Sequence, residues 1–243
     1  MARPWTQRSL DLRRRTRAGR IAKKRGRPRQ RGKQDPAHVT RPAVVARHPV
    51  HVVLRVVHAV GNLRTRRAYR AIRGAIGTCA ARADFRLVHA SLQSNHLHLL
   101  VEADSRRALS RGMQGFAISA AKRLNRELCR RRGAVFAFRY HATSITSPTQ
   151  ARNAIAYILN NWRRHKNDVR APYRIDPYSS AEQFHGWETP HGYAPRPEPL
   201  PCVRATSWLL TDGWTRAGPV RTDEIPGPDP SPSRCVEWVR LSS

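Results

Sequence analysis

The chain has 243 residues, 40% of them apolar, enough for one sizeable core in one domain or at most two. Its 46 Lys and Arg stand against 16 Asp and Glu, a formal net charge of +30 at pH 7. That self-repulsion is relieved by a polyanion, so nucleic acid is the expected partner. The longest apolar stretches, His51 to Val57 and Leu97 to Val101, are far too short to span a bilayer. With no lipidation signal, amphipathic membrane helix or signal-peptide apolar run, a membrane protein is excluded and a cytoplasmic, nucleoid-associated bacterial protein is expected.

Residues 1–47 read as a basic arm: Arg3 to Arg47 hold sixteen Lys or Arg against Asp11 and Asp35, punctuated by Gly and Pro in the run Lys23 to Arg29. Such a tract is either a solvated tail or a phosphate-attracting element that reads no base sequence. A folded pattern then runs from His48 to Lys166. His48 to Val57, rich in Val and His, predicts a strand, and Leu63 to Arg82 a helix with an Arg-rich face. Phe85 to Gln93 and His96 to Glu102 predict two strands joined at the polar break Ser94-Asn95, which suits a hairpin.

Ser105 to Arg130 is the clearest helix: Leu109, Met113, Phe116, Ala120, Leu124 and Leu128 recur at three- and four-residue steps. Ala134 to Ile145 reads as a strand, and Ser147-Pro148 as a helix start, Ser capping and Pro in the first turn. The order β-α-β-β-α-β-α predicts an α+β, ferredoxin-like split βαβ unit: an antiparallel sheet with helices packed on it and an added C-terminal helix. From residue 167 to 243 Pro and Gly are frequent and Trp187, Trp208 and Trp214 isolated, an irregular, partly packed segment rather than a second domain. Cys79, Cys129, Cys202 and Cys235 are widely spaced and form no metal or redox motif; Cys79 and Cys129 fall in segments read as helical.

His96 and His98 lie two apart on a predicted strand, so both imidazoles project from one face while Leu97, Leu99 and Val101 take the other. Two such nitrogens form half of a divalent metal site able to act on a phosphoryl oxygen, although histidines on a sheet are more often structural. His51, His58 and His89 occur in similar surroundings and nothing in the sequence marks them as ligands. In the last helix Ala151, Ile155, Ile158, Leu159 and Trp162 make the apolar stripe; Tyr157 lies off it, with Asn153 and Asn161 one turn before and after. A phenol is a suitable nucleophile at phosphorus because a phosphotyrosyl link conserves the phosphodiester energy for rejoining, but it needs a base or cation to lose its proton. Tyr140, between Arg139 and His141 on a predicted strand, is the rival nucleophile.

Three segments together, Ser94-Asn95-His96-Leu97-His98-Leu99-Leu100-Val101, Arg139-Tyr140-His141 and Ala156-Tyr157-Ile158-Leu159-Asn160-Asn161, resemble the HUH (His, hydrophobic, His) single-strand tyrosine transposases, in particular the insertion-sequence and REP-associated branch. The likeness covers His48 to Lys166, with His98 and Tyr157 separated by 59 positions. The resemblance implies that His96 and His98 bind Mg²⁺ or Mn²⁺ and that Tyr157 attacks a phosphate of hairpin-bearing single-stranded DNA, giving a 5′-phosphotyrosine and a free 3′-hydroxyl. In many relatives a Gln one turn after the tyrosine completes the metal site; here Asn161 stands there, a shorter amide that still offers a carbonyl oxygen. Arg139, Tyr140, His141, Lys122 and Arg123 are candidate DNA contacts. The family includes homodimers that exchange the tyrosine helix and members that look monomeric. The alternative to a transposase is a non-catalytic, domesticated nucleic-acid-binding relative, although its sheet would offer few aromatics beyond Phe85 for base stacking. A histidine-triad hydrolase is disfavoured because the next same-face position after His98 is Leu100.

Overall fold

The computed structural model describes residues 44–80, 82–128, 132–168, 175–188 and 198–227. The expected basic arm up to residue 43, Cys129 and Cys235 lie outside them. The described chain runs β1 (Val50–Arg55), α1 (Arg66–Gly77), β2 (Phe85–Leu92), β3 (His96–Ala103), α2 (Arg106–Glu127), β4 (His141–Ser144), α3 (Pro148–Arg164) and a short α4 (Trp208–Thr211). No described helix is long and apolar enough to cross a membrane. The three long helices begin alike: the side chains of Thr65, Ser105 and Ser147 accept from the backbone N–H groups of Ala68, Ala108 and Gln150. Each cap satisfies an N–H that the first turn leaves orphaned, and Pro148 occupies a first-turn position where no amide is missed.

The four strands form one sheet in the order β2-β3-β1-β4, and each neighbouring pair is antiparallel. This is the α+β split βαβ arrangement expected from the element order. On one face, Val50, Val52 and Leu54 of β1 and Leu97, Leu99 and Val101 of β3 meet Ile72 and Ile76 of α1 and Met113, Phe116 and Leu124 of α2 in one buried cluster. Gly112 brings α2 close to the sheet, since a Cβ there would sit 2.2 Å from Cγ of Phe85. On the opposite face Leu100 and Val88 pack against Ile155, Ile158 and Leu159 of α3. With both faces covered, β3 is buried almost from end to end, which explains why its sequence reads as a nearly continuous apolar run broken by two histidines.

Two expectations need correction. The stretch from Ala134 to Ile145 is not one regular strand. Ala137 N–H donates to the Arg55 carbonyl while His141 lies opposite Val53. Four steps on one strand therefore answer two on its partner, and the extra residues bulge out of the ladder. Tyr140 falls in this interruption, not on a strand. Cys79 is in the turn after α1 rather than in a helix, buried, and burial raises its thiol pKa.

Residues beyond α3 share in both clusters. Ile175, Phe184, Leu209, Leu210, Trp214 and Val220 pack with α3, and Leu200 joins the cluster under α1 and α2. Buried charges hold this segment to the sheet. Arg64 clamps Asp176 through two hydrogen bonds of 2.9 and 2.8 Å. The fully buried carboxylate of Glu102, near the end of β3, accepts from Arg86 Nε at 2.9 Å, Thr206 Oγ1 at 2.8 Å and Ser207 N–H at 2.8 Å. These donors hold the Glu102 pKa below the ordinary carboxylate value even though burial opposes them.

Glu102→Ala removes the acceptor of Arg86 Nε, Thr206 and Ser207, while Arg86 keeps Ala83 and Asp104, and is expected to cost about 1–3 kcal/mol in urea unfolding; Glu102→Gln, which keeps an acceptor oxygen, costs less. Because the folded-state pKa is depressed, the stabilisation from Glu102 is complete above the ordinary carboxylate pKa and is lost as the pH falls through the folded value. The unfolding midpoint of the Ala variant should therefore lose less than the wild type does on acidification across that window.

Candidate active site

Antiparallel partners share a face of the sheet. His98 lies opposite Val53 and His96 opposite Arg55, while His51 lies opposite Leu100. His51, His96 and His98 therefore all project toward α3. The Nε2 atoms of His96 and His98 come within 2.9 Å of each other. Behind them, His96 Nδ1 is 2.7 Å from Asn95 Oδ1 and His98 Nδ1 is 3.0 Å from His51 Nε2.

Helix α3 supplies the roof. The half-buried Tyr157 ring stands edge-on to His98 at 5.2 Å and to His51 at 5.8 Å between centroids. The His165 ring, at the C-cap of the same helix, lies 5.5 Å from that of His96. Tyr157, Asn161 and His165 follow at four-residue steps and so lie along one side of α3. The first touches His98 and the last touches His96, which sets Asn161 over the histidine pair. The Asn161 side chain is fully buried, and neither its Oδ1 nor its Nδ2 has a hydrogen-bond partner in the structure. A buried amide without partners costs about 1–3 kcal/mol, so the orphaned carbonyl oxygen, on the side of α3 that faces the histidines, is free to accept a ligand.

Among the described residues no three of His, Cys, Asp and Glu are grouped to hold a metal ion. Any cage here therefore consists of the two imidazoles with the Asn161 amide, a nitrogen and oxygen donor set compatible with a divalent cation. The imidazoles are in the form such a role needs. Burial, then the positive fields of His165, Arg55 and His51, takes the His96 pKa down to about 3. His98 is held well below its ordinary value, again by burial first and then by His96, His51 and His165. Both rings are thus neutral at pH 7.

The remaining candidates are scattered. Tyr140 packs against the cluster on the α1–α2 face, away from the histidine pair. Arg139 is exposed just before β4, and His141 is exposed at its first position. Lys122 is exposed on α2, and Arg123 lies across Gly74 of α1, where a Cβ would be 2.5 Å from its Nη1. Both are on the helical face. His51, taken from the sequence as an unmarked histidine, belongs to the site; its parity on β1 could have suggested this only with the β1–β3 register in hand. His165 and Asn95 also went unmarked, His165 although it continues the four-residue series from Tyr157. His58 is exposed. His89 is structural: its Nδ1 lies 3.0 Å from Ser180 Oγ and its ring packs on Phe184.

Residues 44–161 match the family model described as Transposase IS200 like. Among solved structures, a REP-associated tyrosine transposase bound to a REP hairpin is 15% identical, with 60% of this chain and 84% of that chain covered and a TM-score of 0.46. A provisionally assigned transposase from Deinococcus radiodurans R1 is 13% identical, with 56% and 96% covered and a TM-score of 0.35. No curated protein matches the chain.

The half-buried His89 makes the fold acid-sensitive. His89, with its pKa lowered by burial from 6.5 to about 4, takes up a proton more readily in the unfolded chain. Its contribution to stability is complete above the ordinary value and disappears progressively as the pH falls toward the folded one. In chemical denaturation between about pH 7 and pH 4, the span of that titration, His89→Gln should show a shallower loss of stability than wild type. An unchanged slope would show that His89 is not held neutral.

Proposed function

Residues 44–161 belong to the IS200-like transposase family, and on that premise we propose that this chain cleaves and rejoins single-stranded DNA, with Tyr157 as nucleophile and His96, His98 and Asn161 as ligands of Mg²⁺ or Mn²⁺. The observation that carries the proposal is the meeting of the two Nε2 atoms at 2.9 Å beneath the Tyr157 ring. A bound divalent cation would supply Lewis-acid polarisation of a phosphoryl oxygen and orientation of the scissile phosphate.

The chain's own residues do the rest. Tyr157 Oη attacks phosphorus, the P–O3′ bond breaks, and the departing oxygen takes a proton to become a free 3′-hydroxyl, leaving a 5′-phosphotyrosine. Reversal with a different 3′-hydroxyl rejoins the strand without an external energy source, because the phosphotyrosyl bond conserves the phosphodiester energy. The phenol needs help to ionise near neutral pH; His96 and His98, their basicity lowered by burial and their lone pairs committed to the cation, are ligands rather than its base. Packing of α3 on the chain's own sheet puts Tyr157 and the histidines of one chain together, so the proposed chemistry requires no helix from a second copy. Hairpin-bearing single-stranded DNA is the proposed substrate class, and a cytoplasmic site of action on the nucleoid follows from it.

Incubation with a single-stranded hairpin substrate and Mg²⁺ or Mn²⁺ should give a covalent protein–DNA adduct, resolved by denaturing electrophoresis. The adduct should vanish in Tyr157→Phe and persist in Tyr140→Phe. An adduct at the wild-type level in Tyr157→Phe would move the nucleophile to Tyr140. His96→Ala with His98→Ala should abolish the adduct and leave DNA binding within a few-fold. Binding without any adduct in the wild-type protein would instead favour the non-catalytic relative.

The arm, Lys122, Arg123, Arg139 and His141 are proposed as phosphate contacts rather than chemical groups. For single strands the logarithm of affinity should fall with the logarithm of salt at a slope of about −0.7 per phosphate neutralised. Removing residues 1–43 should flatten that slope, and an unchanged slope would mean that the arm is a solvated tail.

A further inference from the structure

Resting on that reading of the site, we propose that His51 and Asn95 are positioning residues that set which ring nitrogen of His98 and His96 carries the proton, and that His51 lets the pair pass between two states, one without a cation and one with it, in both of which the His98 ring keeps its hydrogen bond to His51. Asn95 Oδ1 can only accept, so at 2.7 Å from His96 Nδ1 it holds the His96 proton on Nδ1 and leaves Nε2 bare. That bare nitrogen faces His98 Nε2 at 2.9 Å. Two bare lone pairs at this distance repel unless a proton or a cation stands between them.

Without a cation, His98 carries its proton on Nε2 and donates it to His96 Nε2. Its Nδ1 is then an acceptor, and His51 Nε2–H, 3.0 Å away, donates to it. With a cation held by His96 and His98 through their Nε2 atoms, the His98 proton would sit on Nδ1 and be donated back to His51 Nε2, whose own proton would have moved to its Nδ1. The proton count is the same in both states: each of the three rings carries one proton throughout, and in His98 and His51 it changes nitrogen. An imidazole at position 51 serves both states because it can donate or accept at the same atom. The usual outer partner of a ligand histidine is a carboxylate or carbonyl, which stabilises only the second state. The burial of His98 gives the arrangement its weight, since water has little access to replace a missing partner.

The test uses the full chain and Mn²⁺ as probe, with affinity read by electron paramagnetic resonance, and ring tautomers read from long-range ¹H–¹⁵N spectra with and without Mg²⁺. The expected results are a Mn²⁺ affinity about 10- to 100-fold weaker in His51→Leu and recovery to within a few-fold in His51→Gln, whose amide both donates and accepts. The His98 proton should move from Nε2 to Nδ1 on adding Mg²⁺, with His96 protonated on Nδ1 in both spectra. Wild-type affinity in His51→Leu, or a His98 proton that stays in place, overturns the inference while leaving the metal site standing. A wild-type chain that does not bind Mn²⁺, or binds it no better than His96→Ala with His98→Ala, overturns the site reading and the inference together. Thermal unfolding of both His51 variants separates loss of fold from loss of ligand orientation, and the Gln variant decides the matter if the Leu variant unfolds.

Discussion

The seating of α3 on the sheet is the interaction on which the site depends. Ile155, Ile158 and Leu159 press against Leu100 and Val88, and full burial of side chains of this kind is worth about 1.5–3 kcal/mol each. That contact fixes both the height and the rotation of the helix. One residue along an α-helix is about 1.5 Å of rise and 100° of turn, so a slip of a single position would carry Tyr157 off His98 and Asn161 off the histidine pair. The outer surface of α3 is held as firmly as the inner. Asn160 donates to the Arg221 carbonyl and Arg163 to that of Thr222, while Arg152 bonds the Pro219 carbonyl and pairs with Glu224. The irregular C-terminal stretch thus acts as the second wall of the helix that bears the tyrosine.

Burial on both faces of β3 has an electrostatic consequence. The chain carries a net charge of +30, yet the two imidazoles that β3 presents at this site, His96 and His98, are uncharged. Desolvation is the leading cause for His96 and His98, and the neighbouring positive groups reinforce it. Basicity suited to polyanion binding is displayed on the outside, and neutral nitrogen donors are kept inside. The carboxylate of Glu102, four residues beyond His98, does the opposite work: ionised and encircled by donors, it ties the strand's far end to the residue 206–207 backbone. One strand therefore carries the proposed chemical groups at its start and the anchor of the C-terminal segment near its end.

Much of this was legible in the sequence. The parity of His96 and His98 on a strand, the offset of Tyr157 from the apolar stripe of its helix and the β-α-β-β-α-β-α order all follow from local periodicity, because alternation at two and recurrence near 3.6 are properties of the backbone itself; the Ser147 cap was legible from the Ser-Pro pair that opens its helix. The interruption at residues 138–140 was not legible, since a bulge depends on how many residues the partner strand offers, and the partner is some eighty positions away.

The sequence by itself therefore determined which residues share a face and which helix bears the tyrosine. Only the tertiary structure decided what those faces meet. His51 looks like any other strand histidine until the β1–β3 register brings its Nε2 within 3.0 Å of His98, and Asn161 is an ordinary helix amide until α3 buries it without partners over the imidazoles. Pro- and Gly-rich residues without a period become part of the core when Phe184, Leu210 and Trp214 close over α3. The reason is the same in each case: periodicity is written over neighbours in the chain, whereas register, burial and ring contact arise between segments whose separation carries no local signal.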